Sequence, residues 1–358
     1  MRLLFALPRL NLAGGVYIVV KMAEALAAAG HRVTLAVWEP GAGAGPGWLS
    51  IPPAVPVAPF ETAAAAEYDV AFATWWELLF GLPRFRARTY AHCVQALESA
   101  FYPWGDARQA LHEHLLASGA FPSLCTARWL LPYASQPAYC VLAGLDRAVF
   151  RPVEPILPRT PARARFLVEG PRSSPRKHVP ETIALLERLG VEYLAVGEDA
   201  SKAAAGPHCL GAFALPLAAM PRVYAAADVL VKCSSAEGMF APPLEMFACG
   251  GTAVCWDVPG AEEYLVDGVN ALLAPMNGWG AVADAVERLA GDPALLARLR
   301  AGARATAEAW PSWPEVAPLL AAAVERIAAV DNHATFPAVV AEARARFAWS
   351  PPARAGVA

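Results

Sequence analysis

Charge is scarce in this 358-residue chain: Asp, Glu, Lys and Arg together make up 17% of it, and the formal net charge is -3 at pH 7. No Lys/Arg block occurs, which excludes the electrostatic footprint of a nucleic-acid binder. Seven cysteines are present without a single C-x-x-C pair. That odd, unpaired set excludes a disulfide framework and reads as reduced, buried thiols in a cytoplasmic protein. No D-x-D triplet occurs, and His112 and His114, two residues apart on a helix, point in different directions, so no metal site is expected. Long apolar runs are missing too. The stretch from Tyr68 to Leu82 is broken by Asp69 and Glu77, and that from Gly268 to Ala283 by Pro275 and Asn277, well short of a membrane span. Contact with a membrane would be at most peripheral. Met1 to Leu7, ended by Pro8 and Arg9, is too short for a secretory h-region.

What is abundant is apolar surface. Hydrophobic residues make up 56% of the chain, too many for a disordered protein, and the length suits about two domains of about 150 residues. The start reads as strand Arg2 to Leu7, loop Pro8 to Gly15, helix Val16 to Ala29, and strand Arg32 to Trp38. A helix between two β-rich runs without a hairpin turn implies a right-handed βαβ crossover and a parallel sheet. Pro40 to Pro59, rich in Gly and Pro, reads as loop. Strands are expected at Tyr68 to Trp75, Arg88 to Gln95 and Ala138 to Leu142, with a helix at Arg108 to Ala117. Gly144 to Pro152, followed by Pro155, Pro158 and Pro161, marks a linker. The alternation then resumes: strands at Arg165 to Glu169, Glu192 to Val196, Asp228 to Lys232, Thr252 to Trp256 and Asn270 to Leu273, with helices between them and an all-helical stretch from Gly278. The chain is therefore read as α/β, with two parallel-sheet domains.

Open α/β sheets bind ligands beyond the carboxyl ends of their strands, which singles out three loops. The first, Pro8-Arg9-Leu10-Asn11-Leu12-Ala13-Gly14-Gly15, places twin glycines at a helix N-terminus, where an anion seat and an ordinary tight turn are both open readings. Its spacing is not G-x-G-x-x-G, which counts against a nicotinamide dehydrogenase. The second, Pro171-Arg172-Ser173-Ser174-Pro175-Arg176-Lys177-His178, gathers cations suited to a diphosphate, although a solvated loop would look the same. The third, Glu237-Gly238-Met239-Phe240-Ala241-Pro242-Pro243-Leu244-Glu245, spaces two carboxylates around a Gly and a Pro. With Pro243 at the first helical position, Glu245 is expected in the first turn, where it can accept from a ribose diol, while Glu237 reaches a polar substrate.

The stretch from Tyr224 to Leu273 resembles glycosyltransferase family 4. The likeness is carried by Ala226-Ala227-Asp228-Val229, the Glu237 and Glu245 pair, Ala248-Cys249-Gly250-Gly251-Thr252-Ala253-Val254, and Asp267-Gly268-Val269-Asn270-Ala271-Leu272-Leu273. The linker Gly144-Leu145-Asp146 to Phe150-x-Pro152 and Gly14-Gly15 match the same family in the right order. A Val94-Gln95-x-x-Glu98-x-x-Phe101-Tyr102-Pro103 pattern is similar to the rhamnan-synthesis rhamnosyltransferases.

The resemblance implies a GT-B fold of two Rossmann-like domains facing a cleft. These would be an acceptor domain over 1-150, with a helix at about 314-330 packing back on it, a nucleotide-sugar domain over 151-313, and an extension over 331-358. It further implies retaining, metal-independent transfer of a hexose or deoxyhexose from a nucleotide-diphosphate sugar to a hydroxyl acceptor: a glycan, a lipid-linked acceptor or a small molecule. No cofactor is expected. Glu245 would bind ribose hydroxyls, Glu237 the donor sugar, and Lys177 with Arg176 or Arg172 the diphosphate. Gly14, Gly15, Gly238, Met239, Phe240 and Ala241 would line the donor site. His92, Gln95, Glu98 and Trp76 are candidates on the acceptor side, with burial in the core as the competing reading for His92 and Trp76. A non-catalytic, sugar-nucleotide or glycan-binding relative is the alternative.

Overall fold

Parallel strands covered on both faces read as unbroken apolar runs, and this chain has such runs in two sets. The computed structural model describes residues 1-11, 13-39, 49-159, 163-201 and 205-349. It divides into two units, one of Met1–Gly144 together with the chain from Trp313 onward, the other Leu145–Ser312. The first unit therefore ends at Gly144, earlier than residue 150.

The first unit holds β1 (Arg2–Leu7), α1 (Gly14–Ala28), β2 (Arg32–Val37), β3 (Val57–Pro59), α2 (Phe60–Ala63), β4 (Glu67–Ala73), β5 (Arg86–Val94), α3 (Ala107–Ala117), β6 (Ser123–Cys125) and β7 (Ala138–Cys140). Its seven strands pair in the order β3-β2-β1-β4-β5-β6-β7, and every pairing is parallel. Leu3, Leu4, Phe5 and Ala6 of β1 are fully buried, and Phe5 stacks on its register partner Phe72 with centroids 4.8 Å apart. Two strands depart from the expectation. β3 lies inside the stretch read as loop, whose residues 40-48 fall outside those described, and β6 was not anticipated at all. At three residues each, neither carries enough periodicity to show in sequence.

The second unit holds β8 (Phe166–Glu169), α4 (Val179–Leu189), β9 (Tyr193–Val196), β10 (Cys209–Phe213), α5 (Met220–Ala225), β11 (Val229–Lys232), α6 (Ala241–Ala248), β12 (Thr252–Asp257), β13 (Ala271–Pro275), α7 (Trp279–Gly291) and α8 (Pro293–Ala309). Its six-stranded sheet runs β10-β9-β8-β11-β12-β13, again parallel. The Gly144 to Pro152 stretch is an ordered turn: Asp146 accepts from the backbone N–H groups of Ala148 and Val149, and Leu145 N–H donates to Pro311 at 2.9 Å. The Asp267 to Asn270 motif is likewise structural. Asn270 is buried and accepts from Val266 N–H at 2.8 Å, and the Asp267 carboxylate accepts from Leu273 N–H at 2.8 Å.

The chain then returns to the first unit as α9 (Trp313–Ala328), which packs on α1 and β5, and α10 (Phe336–Arg346). The extension from residue 331 docks as far as it is described. Phe336 stacks on Tyr90 at 4.9 Å, and Trp349 stacks on Phe80 at 4.3 Å. β6 pairs only with His92 to Val94 of β5, so the Tyr90 backbone has no strand neighbour on that side. The buried Asn332 side chain takes the strand's place: its Oδ1 accepts from Tyr90 N–H at 2.8 Å, and its Nδ2 donates to Tyr90 O at 3.0 Å and Ala120 O at 3.1 Å. Asn332→Ala orphans three backbone groups, and urea unfolding is expected to show a loss of about 2 kcal/mol or more.

Candidate active site

The site in the second unit is built where β8, β9 and β11 end. Glu169 closes β8, and Gly170 follows at φ 132°, a conformation open to glycine. The Pro171 to Ser174 turn is held by Asp199 beyond β9, whose carboxylate accepts from Arg172 N–H at 2.7 Å and Ser173 N–H at 2.8 Å. A single turn at Pro175–Lys177 and His178 in the left-handed region (φ 47°) then lead into α4. The loop after β11 is tied to this one through Ser235 N–H, which donates to Arg176 O at 2.9 Å. The tie sets Lys177 Nζ 2.7 Å from Glu237 Oε1, with little of either side chain exposed.

Electrostatics follows from burial opposed by pairing. Burial pulls the Lys177 ammonium below its usual range, with Glu237 opposing. Burial pushes the Glu237 carboxyl upward, but Lys177 and then Lys232 outweigh it, and the net result lies below the usual value. Arg176 also acts on Glu237. Arg172 engages Asp199 through its backbone N–H, while the Arg176 guanidinium interacts electrostatically with Glu237. Sequence reasoning missed Lys232 and Glu169. Lys232 closes β11, is 1% exposed, and donates to the Glu169 carbonyl at 2.9 Å and to the Glu169 carboxylate. The signal was there: a Lys ending an otherwise apolar strand of a fully covered sheet needs a buried partner.

Glu245 is not in a first turn. α6 begins at Ala241 with Phe240 (φ 54°) as its N-cap, which makes Pro242 the second helical residue and Glu245 the fifth. The helix dipole therefore gives it little, since that effect fades beyond the first turn. Instead Glu245 accepts from Tyr224 O–H at 2.8 Å, and burial, with Glu169 adding to it, pushes its carboxyl up to about 7 against the opposing effects of Tyr224 and Lys232. Met239 and Phe240 turn buried side chains into the core, so toward a ligand they offer backbone only, while Gly238 and Ala241 are half-buried.

The first unit brings together Gly14, Gly15 and Gln95. Gly14 opens α1 with no side-chain N-cap and no acidic residue in its first turn. A Cβ on Gly15 would stand 3.2 Å from Gln95 Oε1, so the glycine makes room for that side chain. The other acceptor-side candidates lie in the core. Trp76, at 0% exposure, donates its indole N–H to Tyr102 Oη at 2.9 Å, so it presents no ring face for a sugar. His92 is fully buried, and burial holds its imidazole neutral, down to about 3. Glu98 is buried and accepts from Trp76 N–H at 2.8 Å, its carboxyl driven well above the usual range by burial. Among the described residues, no group of three or more His, Cys, Asp or Glu could hold a metal ion.

Residues 197–306, which include Glu237 and Glu245, match the family model described as glycosyl transferases group 1. Sucrose-phosphate synthase from Thermosynechococcus elongatus superposes with a TM-score of 0.74 at 18% identity, over 92% of this chain and 99% of that one. Anabaena HepE in complex with UDP and glucose gives 0.68 at 16% identity, over 91% and 100%. The fold is GT-B. A glycosyltransferase from Rickettsia africae shares it, with a TM-score of 0.62 at 13% identity over 91% and 98%. No curated protein sequence matches the chain.

With a folded-state value of about 7, raised above that of an unfolded carboxylate, Glu245 favours folding fully only below about pH 4.5, and this contribution is lost as pH rises through 7. Glu245→Gln keeps the shape without the charge. It is expected to melt like wild type at pH 4 and to be more stable by about 3 kcal/mol at pH 8, a difference read by thermal unfolding at the two pH values.

Proposed function

We propose that this chain is a retaining glycosyltransferase that moves a hexose or deoxyhexose from a nucleotide-diphosphate sugar to a hydroxyl acceptor without a metal ion. The observation that carries the reading is the Lys177 and Glu237 ion pair, 2.7 Å long and largely buried between the loops that follow β8 and β11, with Arg176 acting on the same carboxylate. Cations placed where a diphosphate would gather charge stabilise the leaving group as a divalent ion does elsewhere. Lys177 supplies a point charge and Arg176 a planar fork for two phosphate oxygens. Glu237 accepts from hydroxyls of the donor sugar, and Glu245 from the ribose diol.

In the step itself, the bond from the anomeric carbon to the diphosphate oxygen breaks. The acceptor oxygen bonds to the same face of the sugar, and its proton passes to the departing diphosphate. Charge stabilisation by Lys177 and Arg176 thus grows as the bond breaks, which is where it lowers the barrier. The sequence likeness to family 4, and to its rhamnan-synthesis members, supports a place in glycan or glycoconjugate assembly on the cytoplasmic side. HepE in complex with UDP-glucose makes that compound the first donor to try.

A panel of nucleotide sugars and acceptors, read by mass spectrometry, tests the reading. Lys177→Ala and Arg176→Ala are expected to melt near wild type and to lower transfer by about 10²-fold for whichever is the main diphosphate ligand. Transfer should persist in EDTA. If Lys177→Ala, Arg176→Ala and Glu237→Gln all transfer at wild-type rates, the assignment fails and a sugar-nucleotide-binding role takes its place.

A further inference from the structure

The Lys232 and Glu169 pair has no part in the scheme above, yet it lies against it. β11 runs parallel to β8 with Val231 opposite Val168, so Lys232 and Glu169 end the two strands side by side. Lys232 Nζ stands 3.4 Å from where a Cβ on Gly170 would be, and Lys177 Cβ 3.6 Å from the same point. The head of one lysine and the stem of the other therefore flank a single glycine. Facing Glu237 are Lys177, Lys232, Arg176, Ser234, Cys255 and Tyr264. Facing Lys232 are Glu169, Glu237, Glu245, Lys177 and Cys255, and Tyr224 and Tyr264 close the Glu245 side.

Without nucleotide, Glu237 has Lys177 as its direct partner. If Lys177 turns to a diphosphate, Glu237 is left buried without it, and a buried carboxylate stripped of its partner takes up a proton. Lys232 cannot follow to the ligand, because Glu169 holds two of its three N–H donors and its side chain is almost wholly covered. We propose that Lys232 is a positioning residue, the counter-ion that stays behind and keeps Glu237 ionised while Lys177 is engaged by the donor's diphosphate. This rests on the donor-site reading above.

The test mimics the departure of Lys177 with no nucleotide present. In Lys177→Met/Glu169→Gln, removal of Glu169's charge leaves no buried orphan when Lys232 is changed in turn. The Glu237 carboxyl carbon is followed by ¹³C NMR against pH. Glu237 is expected to remain ionised at pH 7 in this background. Adding Lys232→Met should raise its midpoint by about one pH unit or more, tenfold in proton affinity, while Lys232→Arg should restore it. Equal midpoints with and without Lys232, or a Glu237 already protonated in the background, would overturn the proposal. A second reading uses UDP and calorimetry in buffers of different protonation enthalpy. Wild type should bind without proton uptake and Lys232→Met with it, and uptake equal in both counts against the role. Failure of wild type to bind UDP or any other nucleotide diphosphate counts against the donor reading, and the nucleotide-free titration tells the two failures apart.

Discussion

Two lysine–glutamate ion pairs, largely buried, lie where β8 and β11 end and in the loops that follow them, and that condition governs the second unit. Removing such groups from water is affordable only when each finds an opposite charge at hydrogen-bonding distance. Lys177 meets Glu237 at 2.7 Å, and Lys232 meets both the carbonyl and the carboxylate of Glu169. The surrounding backbone is shaped to permit this. Gly170 takes a positive φ with Lys232 beneath it, and a Cβ on Gly197 would lie 2.2 Å from the Gly170 carbonyl, so no side chain fits where β8 and β9 leave the sheet. Asp199 then spends its carboxylate on the Arg172 and Ser173 amides, fixing the turn that delivers Arg176 and Lys177.

The two sheets were legible in the sequence because a parallel strand covered on both faces must be apolar throughout, and Leu3 to Leu7 or Val229 to Val231 have no other reading in such a pattern. Three short strands were not legible. β3 and β6 are too brief for a period to show, and in β10 Gly211 is required because the Phe213 ring would stand 2.6 Å from a Cβ there, a feature of packing rather than of composition. Within the site, Glu237, Arg176 and Lys177 could be picked out because charge is rare in this chain. The pairing that holds them could not, since it joins residues 60 apart. The start of α6 was misplaced because Pro242 and Pro243 are both admissible early in a helix, and only the left-handed Phe240 decides between them. For His92 and Trp76 the structure decides between the two readings the sequence left open, in favour of the core. Both have polar atoms and sit in a strand or just beyond one, but the aromatic packing that buries them comes partly from α3 and from Trp349, far along the chain.

The return of the chain to the first unit sets an order of events during synthesis. A ribosome delivers β1 to β7 first, then all of Leu145–Ser312, and only afterwards Asn332 and Phe336. Until those late residues emerge, the Tyr90 backbone lacks its amide partner, and the rings of Tyr90, Phe121 and Phe80 lack the Phe336 and Trp349 rings that cover them. Domains generally complete in the order they are made. Here the first to begin is the last to close, and throughout the intervening translation the nascent chain carries an open aromatic face that a chaperone can shield.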